Sequence, residues 1–138
     1  MQYISTRNSK KIFTFRDTFL KGLAPDGGLF VPKKIPKFTT SDFESLRDCS
    51  YKELAQKIVY KFCSEEFEEK EIKNLLNISY KNFRVEDIVQ IKKLGKLNLL
   101  ELFHGPTLAF KDIAMQVIGN MYEKILEKNN IKINVVVA

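Results

Sequence analysis

One lysine stands where a lysine is unusual. Lys111 follows a β-prone run (96–103) and the pair Gly105-Pro106, which ends regular secondary structure. It therefore falls in or just before the first turn of a predicted helix. A helix N-terminus disfavours an ammonium group and favours an anion such as Asp112 beside it. The apolar stretch 108–110 disfavours the charged amine further through desolvation. The pattern therefore predicts a lysine with a lowered pKa, suited to forming a Schiff base with a carbonyl compound.

Four neighbours of this lysine are candidates for a role in the same site. His104 is the only histidine, and in a turn it serves either as a hydrogen-bonding scaffold or as a contact to a ligand. Thr107 is predicted to be the N-cap of the helix, with a hydroxyl one helical turn from Lys111. Phe110 packs either in the core or against a bound ring. Asp112 is expected to stabilise the helix N-terminus rather than take part in chemistry.

Two stretches carry a resemblance to a known family. Residues 101–112 read Glu-Leu-Phe-His-Gly-Pro-Thr-Leu-Ala-Phe-Lys-Asp, which resembles the cofactor-lysine segment of the threonine synthases. These are pyridoxal-phosphate enzymes of the tryptophan-synthase-β-like fold. Residues 22–32, Gly-Leu-Ala-Pro-Asp-Gly-Gly-Leu-Phe-Val-Pro, and the opening Tyr3-Ile4-Ser5-Thr6-Arg7 resemble the N-terminal region of the same family. The chain thus looks like the N-terminal portion of such an enzyme.

The resemblance implies a function and roles for individual residues. It implies conversion of O-phospho-L-homoserine and water to L-threonine and phosphate, the last step of threonine biosynthesis, by a carbon–oxygen lyase. Lys111 matches the Schiff-base lysine, which also moves protons as general base and acid. Phe110 is a candidate contact to pyridoxal phosphate, and Thr107 and His104 are candidates for binding the substrate. The residues 1–138 alone are expected to be inactive.

Two alternatives stay open from the sequence. A threonine-synthase-like phospho-lyase, or another dehydratase of fold type II, would share the lysine segment and differ in its substrate contacts. A non-catalytic folding or interaction module is an alternative of another class.

Composition narrows the protein class. The chain has 138 residues, 44% hydrophobic and 29% charged, which is typical of a globular domain. No apolar run approaches the ~20 residues of a membrane span, and no signal-peptide core is present, so we expect a cytoplasmic protein without membrane contact. The net charge of +6 comes from dispersed lysines interleaved with acids. This favours a solvated surface and a small anionic ligand over nucleic acid.

The cysteines and the histidine do not suggest a metal site or a disulfide. Cys49 and Cys63 are far apart in sequence, and one histidine is too few for the usual zinc arrangements. We expect both thiols to be reduced and Cys63 to lie on the apolar side of a helix.

The periodicity predicts an α/β protein with two parts. Residues 1–90 are predicted to form a mostly helical α+β domain, and 91–138 the first, incomplete βαβ elements of a fold-type-II pyridoxal-phosphate domain. The sequence contains no glycine-rich loop for the cofactor phosphate and no identifiable partner for the pyridine nitrogen. The oligomeric state, any effector and independent folding are left open. The predicted elements are helices at 15–21, 42–47, 51–63, 68–77 and 113–128, and strands at 3–6, 29–31, 88–91, 97–102 and 131–138.

Overall fold

The structure is a computed structural model that describes residues 1–136. The chain forms two compact units, Met1–Leu76 and Asn77–Ala138, called here the first and the second unit. Helices and strands alternate irregularly, as expected for a mixed α/β protein. The elements are β1 Tyr3–Ser5, α1 Phe15–Lys21, β2 Phe30–Pro32, α2 Thr40–Leu46, α3 Tyr51–Cys63, α4 Glu69–Ser79, β3 Gln90–Leu94, β4 Leu97–Glu101 and α5 Asp112–Asn129.

The first three helices begin at side-chain caps. Each cap hydroxyl accepts a hydrogen bond from a backbone N–H one turn on, and the acid at that position accepts from the N–H of the cap residue. The reciprocal boxes pair Thr14 with Asp17, Thr39 with Asp42 and Ser50 with Glu53. The predicted bounds of α1 and α3 are therefore confirmed, and Gly22 ends α1 with a positive φ of 69°.

The core of the first unit joins aromatic rings to the apolar face of α4. Ile72, Leu75 and Leu76 are buried, as the periodicity predicts. The prediction that Ile58 of α3 is buried is wrong, because its side chain is 37% exposed. The buried stripe of α3 ends in Cys63 and includes half-buried Val59 one turn before it, about 100° around the helix from Ile58.

A short sheet joins two of the segments that carry the family resemblance. β1 and β2 pair antiparallel, with Ile4 opposite Val31. The turn before β2 is fixed by Asp26, whose carboxylate accepts from the Ser5 hydroxyl at 2.7 Å and from the Gly28 N–H at 3.0 Å. A Cβ at Gly28 would lie 2.2 Å from the Ser5 oxygen, so only glycine fits there. The opening residues and the glycine turn are thus one local structure.

The second unit contains a hairpin followed by the longest helix. β3 and β4 pair antiparallel with Leu94 opposite Leu97, so the turn is Gly95-Lys96 and not the longer link 92–96 that the sequence suggests. Gly95 takes a φ of +60°, which suits the first position of a two-residue hairpin turn. In α5, Val117, Met121 and Ile125 are buried at helical spacing. Asn130 ends the helix in the left-handed conformation.

The last predicted strand is not formed in the described residues. Residues 131–136 carry neither helix nor strand, and Val137 and Ala138 lie outside the described residues. A strand needs a hydrogen-bonding neighbour, and the pairings found within 1–136 are β1 with β2 and β3 with β4. The βαβ unit expected from the sequence is therefore represented by its first strand and its helix. None of the helices in residues 1–136 has the length and apolar character to cross a bilayer.

Candidate functional site

Lys111 lies at the position that precedes the first residue of α5. Its backbone is helical, with φ −61° and ψ −25°, and its side chain caps no backbone group. The side chain is exposed, as are Leu108 and Phe110 beside it. The sequence correctly predicts a lysine at the helix start. The desolvation expected from the apolar stretch 108–110 is not supplied within residues 1–136.

Thr107 is not the N-cap of α5, contrary to the sequence prediction. The first N–H groups of the helix are already used in tight turns, because Asp112 N donates to Ala109 O at 3.0 Å and Ile113 N donates to Phe110 O at 3.3 Å. Thr107 instead donates twice to the carboxylate of Asp112, from its backbone N at 2.8 Å and from its hydroxyl at 2.9 Å. The acid, not the threonine, is the acceptor that closes this loop.

Asp112 is a buried anion at the first turn of α5. Its residue is only 3% exposed, although Lys111 next to it is exposed. Burial pushes the pKa of Asp112 upwards, but the hydrogen bonds from Thr107 and Gln116 outweigh burial and hold the pKa below its ordinary value. The carboxylate therefore stays ionised while it faces away from solvent.

The loop between Gly105 and Lys111 has an unusual backbone. Leu108 has a φ of +64°, a left-handed conformation that costs a side chain of this size free energy. Its N–H donates to Gly105 O at 3.2 Å, which makes the turn tight. A Cβ at Gly105 would lie 2.4 Å from the Asp112 carboxylate oxygen. The loop therefore closes around the Asp112 side chain.

His104 is held by a second buried carboxylate at the end of β4. Its Nε2 lies 2.9 Å from Glu101 Oε2, and Lys92 Nζ lies 3.1 Å from Glu101 Oε1. Burial raises the pKa of Glu101, yet the bonds from Lys92 and His104 leave it below the ordinary value. The backbone oxygen of His104 also accepts from Arg84 N at 2.9 Å. These contacts favour the scaffold role, and a ligand contact through the other ring nitrogen stays a prediction.

The candidate residues thus divide into exposed and anchored groups. Lys111 and Phe110, the latter 64% exposed, face solvent within the described structure, so Phe110 is not part of a core there. His104 and Thr107 are tied to buried carboxylates. Sequence reasoning missed those carboxylates as anchors. No cluster of three or more metal-ligating side chains occurs in residues 1–136.

Comparison with known proteins decides the family. The family model described as the threonine synthase N terminus matches residues 2–80, more than half of the chain. The chain belongs to the threonine synthase N-terminus family. Lys111 lies beyond the residues that this family model matches.

Longer matches cover nearly the whole chain. Threonine synthase of Schizosaccharomyces pombe is 42% identical over 132 residues, which are 94% of this chain and 26% of that protein. Threonine synthase-like 2 of Xenopus laevis is 36% identical over all of this chain and 30% of its own length. The crystal structure of a pyridoxal-phosphate-bound threonine synthase from Brucella melitensis matches with a TM-score of 0.90 at 37% identity, covering 94% of this chain and 28% of that one. The chain therefore spans less than a third of these relatives, and the resemblance found in its sequence is confirmed.

Proposed function

We propose that the protein containing this chain converts O-phospho-L-homoserine and water to L-threonine and phosphate, with pyridoxal phosphate held by Lys111. The observation that carries the proposal is the placement of Lys111. It is an exposed amine at the start of α5, inside a segment that resembles the cofactor-lysine segment of the threonine synthases. The Brucella melitensis relative is a threonine synthase with pyridoxal phosphate bound. The proposed protein is a carbon–oxygen lyase whose partner is a small anionic substrate.

The residues of the second unit fit a covalently held aldehyde cofactor in part. Lys111 supplies the amine, and no hydrogen bond or ion pair occupies that amine within residues 1–136. The exposed ring of Phe110 is next to it and can lie against a planar heterocycle. No glycine-rich phosphate loop occurs in the sequence. Since the chain spans less than a third of its relatives, we assign the phosphate and ring-nitrogen contacts to residues outside it.

The chemistry divides between the cofactor and this chain. When bound, pyridoxal phosphate supplies an electron sink for the pairs left behind as protons leave the substrate. Lys111 Nζ would hold the cofactor through its aldehyde group and, when free, would take and return those protons as general base and acid. The buried Asp112 carboxylate faces Thr107, and it forms no ion pair with the Lys111 amine within residues 1–136.

Two further residues are proposed to bind the substrate. The hydroxyl of Thr107 donates to Asp112, and its oxygen can still accept a hydrogen bond from a ligand. His104 contacts Glu101 through Nε2. Within the described residues its Nδ1 stays available for a ligand. Both residues thus keep one polar position available.

We also propose that the catalytic domain begins near residue 91. The two compact units divide between Leu76 and Asn77, at a point inside α4. The hairpin that leads to Lys111 starts later, at Gln90. The proposed functional domains are therefore 1–90, the N-terminal domain, and 91–138, the start of the catalytic domain.

Cofactor trapping and substitution test the proposal in the complete protein. Borohydride reduction after incubation with pyridoxal phosphate, followed by peptide mapping, should place the adduct on Lys111. Lys111→Ala should lower the turnover of phosphohomoserine by at least about 10²-fold, the low end for losing an acid–base group. Lys96→Ala, at the exposed hairpin turn, is the matched control and should leave turnover unchanged. Retained turnover in Lys111→Ala, or an adduct spread over other lysines, would refute the assignment.

A second candidate function is a threonine-synthase-like phospho-lyase. The whole-chain match to threonine synthase-like 2 of Xenopus laevis favours it. Such an enzyme would share the lysine segment, differ in its substrate contacts and release phosphate from phosphohomoserine without forming L-threonine. Chromatography of the products separates the two candidates, because both share the lysine and only one yields L-threonine.

A further inference from the structure

The buried carboxylate of Asp112 has no part in the proposed chemistry, yet it lies next to the proposed cofactor lysine. We infer that Asp112 is a positioning residue: its carboxylate holds the loop 105–111 closed and thereby fixes the place and direction from which the Lys111 side chain leaves the backbone. The inference rests on the proposed role of Lys111. It adds a residue that acts through Lys111 without touching the reacting atoms.

Asp112 is a strong anchor for the loop. Asp112 Oδ2 accepts from Thr107 N at 2.8 Å, and Oδ1 accepts from the Thr107 hydroxyl at 2.9 Å and from Gln116 Nε2 at 3.5 Å. Hydrogen bonds to an ionised acceptor are stronger than neutral ones, and this acceptor is removed from water. Thr107 is therefore held to α5 by two bonds to one buried group.

The backbone between Thr107 and Asp112 is strained at Leu108. Leu108 keeps a φ of +64°, and strained conformations of this kind persist only where the surrounding structure enforces them. Thr107 and Asp112 lie on either side of Leu108 in sequence, and the hydrogen bonds between them hold the Leu108 backbone in this conformation. Without them, Leu108 can relax to negative φ, and the residues that follow, Lys111 among them, must move.

Gly105 lies close against the Asp112 side chain. A Cβ there would lie 2.3 Å from Asp112 Cβ and 2.4 Å from Asp112 Oδ2. The glycine in the segment is thus explained by the aspartate rather than by a turn that requires positive φ. The Asp112 side chain fills the centre of the loop, and the loop backbone is shaped to it.

The Asp112 anchor also sets the direction of the Lys111 side chain. Successive residues at a helix start point about 100° apart, so a buried Asp112 directs its neighbour Lys111 outward. An amine that must reach a fixed carbonyl carbon depends on this direction, because a misplacement of about 1 Å can cost about 10²-fold in rate.

The test uses three variants of the complete protein and a matched control. Asp112→Asn weakens the acceptor, Thr107→Val removes the hydroxyl donor, and Thr107→Ser restores it. The control is Asp42→Asn, because Asp42 Oδ2 accepts from Thr39 N at 2.7 Å and from the Thr39 hydroxyl at 2.8 Å in the same pattern, at a helix start far along the chain from Lys111.

Three readouts separate positioning from a general loss of structure. We expect Asp112→Asn to lower kcat by about 10- to 10²-fold with KM unchanged, and to reduce the borohydride-trapped adduct on Lys111. In the cofactor-free protein, the Thr107 amide should exchange with deuterium about tenfold faster, since it loses its charged acceptor. Thr107→Val should also speed the exchange of the residue 107 amide and reduce the adduct on Lys111, both more weakly, and Thr107→Ser should restore the exchange rate and the adduct. Turnover is not compared at this position, because Thr107 is itself a proposed substrate contact.

The outcomes are distinguishable. If the wild type carries the adduct on Lys111 and Asp112→Asn matches Asp42→Asn in kcat, adduct and exchange, the positioning role is wrong and the proposed function stands. If the wild type carries no adduct on Lys111, the proposed function fails and this inference fails with it. Should Asp112→Asn not fold, the Thr107→Val and Thr107→Ser pair decides: equal amide exchange at residue 107 and equal adduct on Lys111 in these two variants overturn the inference.

Discussion

The two units of the chain follow local folding rules to different degrees. In the first unit, α1, α2 and α3 each begin with a reciprocal capping box. In the second unit, α5 begins at Asp112, and Lys111 before it supplies no side-chain cap. The positive-φ residues other than glycine in the described structure, Ile88, Leu108 and Asn130, all belong to the second unit. The contrast teaches that, within residues 1–136, the left-handed backbone of non-glycine residues is confined to the second unit, and that one instance, Leu108, lies in the loop before the candidate lysine.

Ile88 shows that this strain is not confined to the lysine loop. Its φ is +64° although it is β-branched, and Val89 N donates to Asp87 O at 2.6 Å across it, which is the bonding of a γ-turn. Ile88 is also only 1% exposed. Burial of its side chain compensates for a backbone cost of about 1–3 kcal/mol. The first unit has no counterpart among its described residues.

The largest effect is expected for a core residue of the first unit. Ile72→Ala in α4 should lower the free energy of unfolding by about 2–5 kcal/mol, because Ile72 is fully buried and leaves a cavity. Ile78→Ala on the same helix is the matched control, since Ile78 is 60% exposed and should cost less than about 0.5 kcal/mol. Urea denaturation and the hydrogen exchange of the α4 amides measure both changes. A fall in kcat per folded molecule for Ile72→Ala would break the division into a stabilising and a functional unit.

A pair of glycines in the second unit gives the next effect. Gly105→Ala should destabilise by about 1–3 kcal/mol, the usual cost of overpacking, because its Cβ meets the Asp112 side chain. Gly119→Ala should instead stabilise by about 0.5–1 kcal/mol, since Gly119 lies inside α5 with no atom within 4 Å of an added Cβ. Thermal melting of the two variants gives opposite shifts. Shifts of the same sign would show that the loop is not packed around Asp112.

The sequence predicts most local structure of the first unit and less of the lysine loop. The cap of α3 is readable because Ser50 and Glu53 have the spacing of a capping box, and the structure confirms it. Thr107 was assigned as a cap by the same logic, and that prediction is wrong. The reason is that the acceptor for Thr107, Asp112, lies five residues on and belongs to the helix itself. Residue type shows that Thr107 can bond locally, but not which group it bonds.

Burial and pairing are also beyond the reach of local pattern. Ile58 has the right spacing for a buried face, yet in the described structure the stripe of α3 that contains Val59 and Cys63 is covered instead. Residues 131–136 have the composition of a strand but pair with no strand described here. Glu101 reads as one more surface acid, and only the structure shows it buried between Lys92 and His104. Each of these features depends on which group lies against the residue in the folded chain, and a local sequence pattern does not show that.

A smaller effect is expected at a helix cap of the first unit. Ser50→Ala should cost about 1 kcal/mol, because the Ser50 hydroxyl accepts from Glu53 N and donates to the Glu53 carboxylate. Ser64→Ala at the other end of α3 is the control, with a residue that is exposed and expected to be neutral. Urea denaturation measures the difference between the two variants. Equal costs would mean that the capping boxes do not distinguish the first unit from the second.

The last effect concerns Cys63 and changes the free energy of unfolding only at alkaline pH. Burial raises the pKa of the Cys63 thiol to about 12, and burial together with negative neighbours does the same for Tyr3. Because an unfolded thiol ionises near pH 8.5, the unfolded state gains charge first, and the stability contributed by neutral Cys63 is lost as pH rises from about 8.5 towards 12.

Cys63→Ala removes this titration, so its free energy of unfolding should decline less steeply between pH 8.5 and 11 than that of the wild type. Cys49, which is half-buried, is the internal control for access and should react with a thiol reagent before Cys63 does. An unchanged alkaline slope in Cys63→Ala would place the sensitivity elsewhere. If the amides of the loop 105–111 instead lost protection from hydrogen exchange over the same pH range, the second unit and not the first would limit stability in alkali.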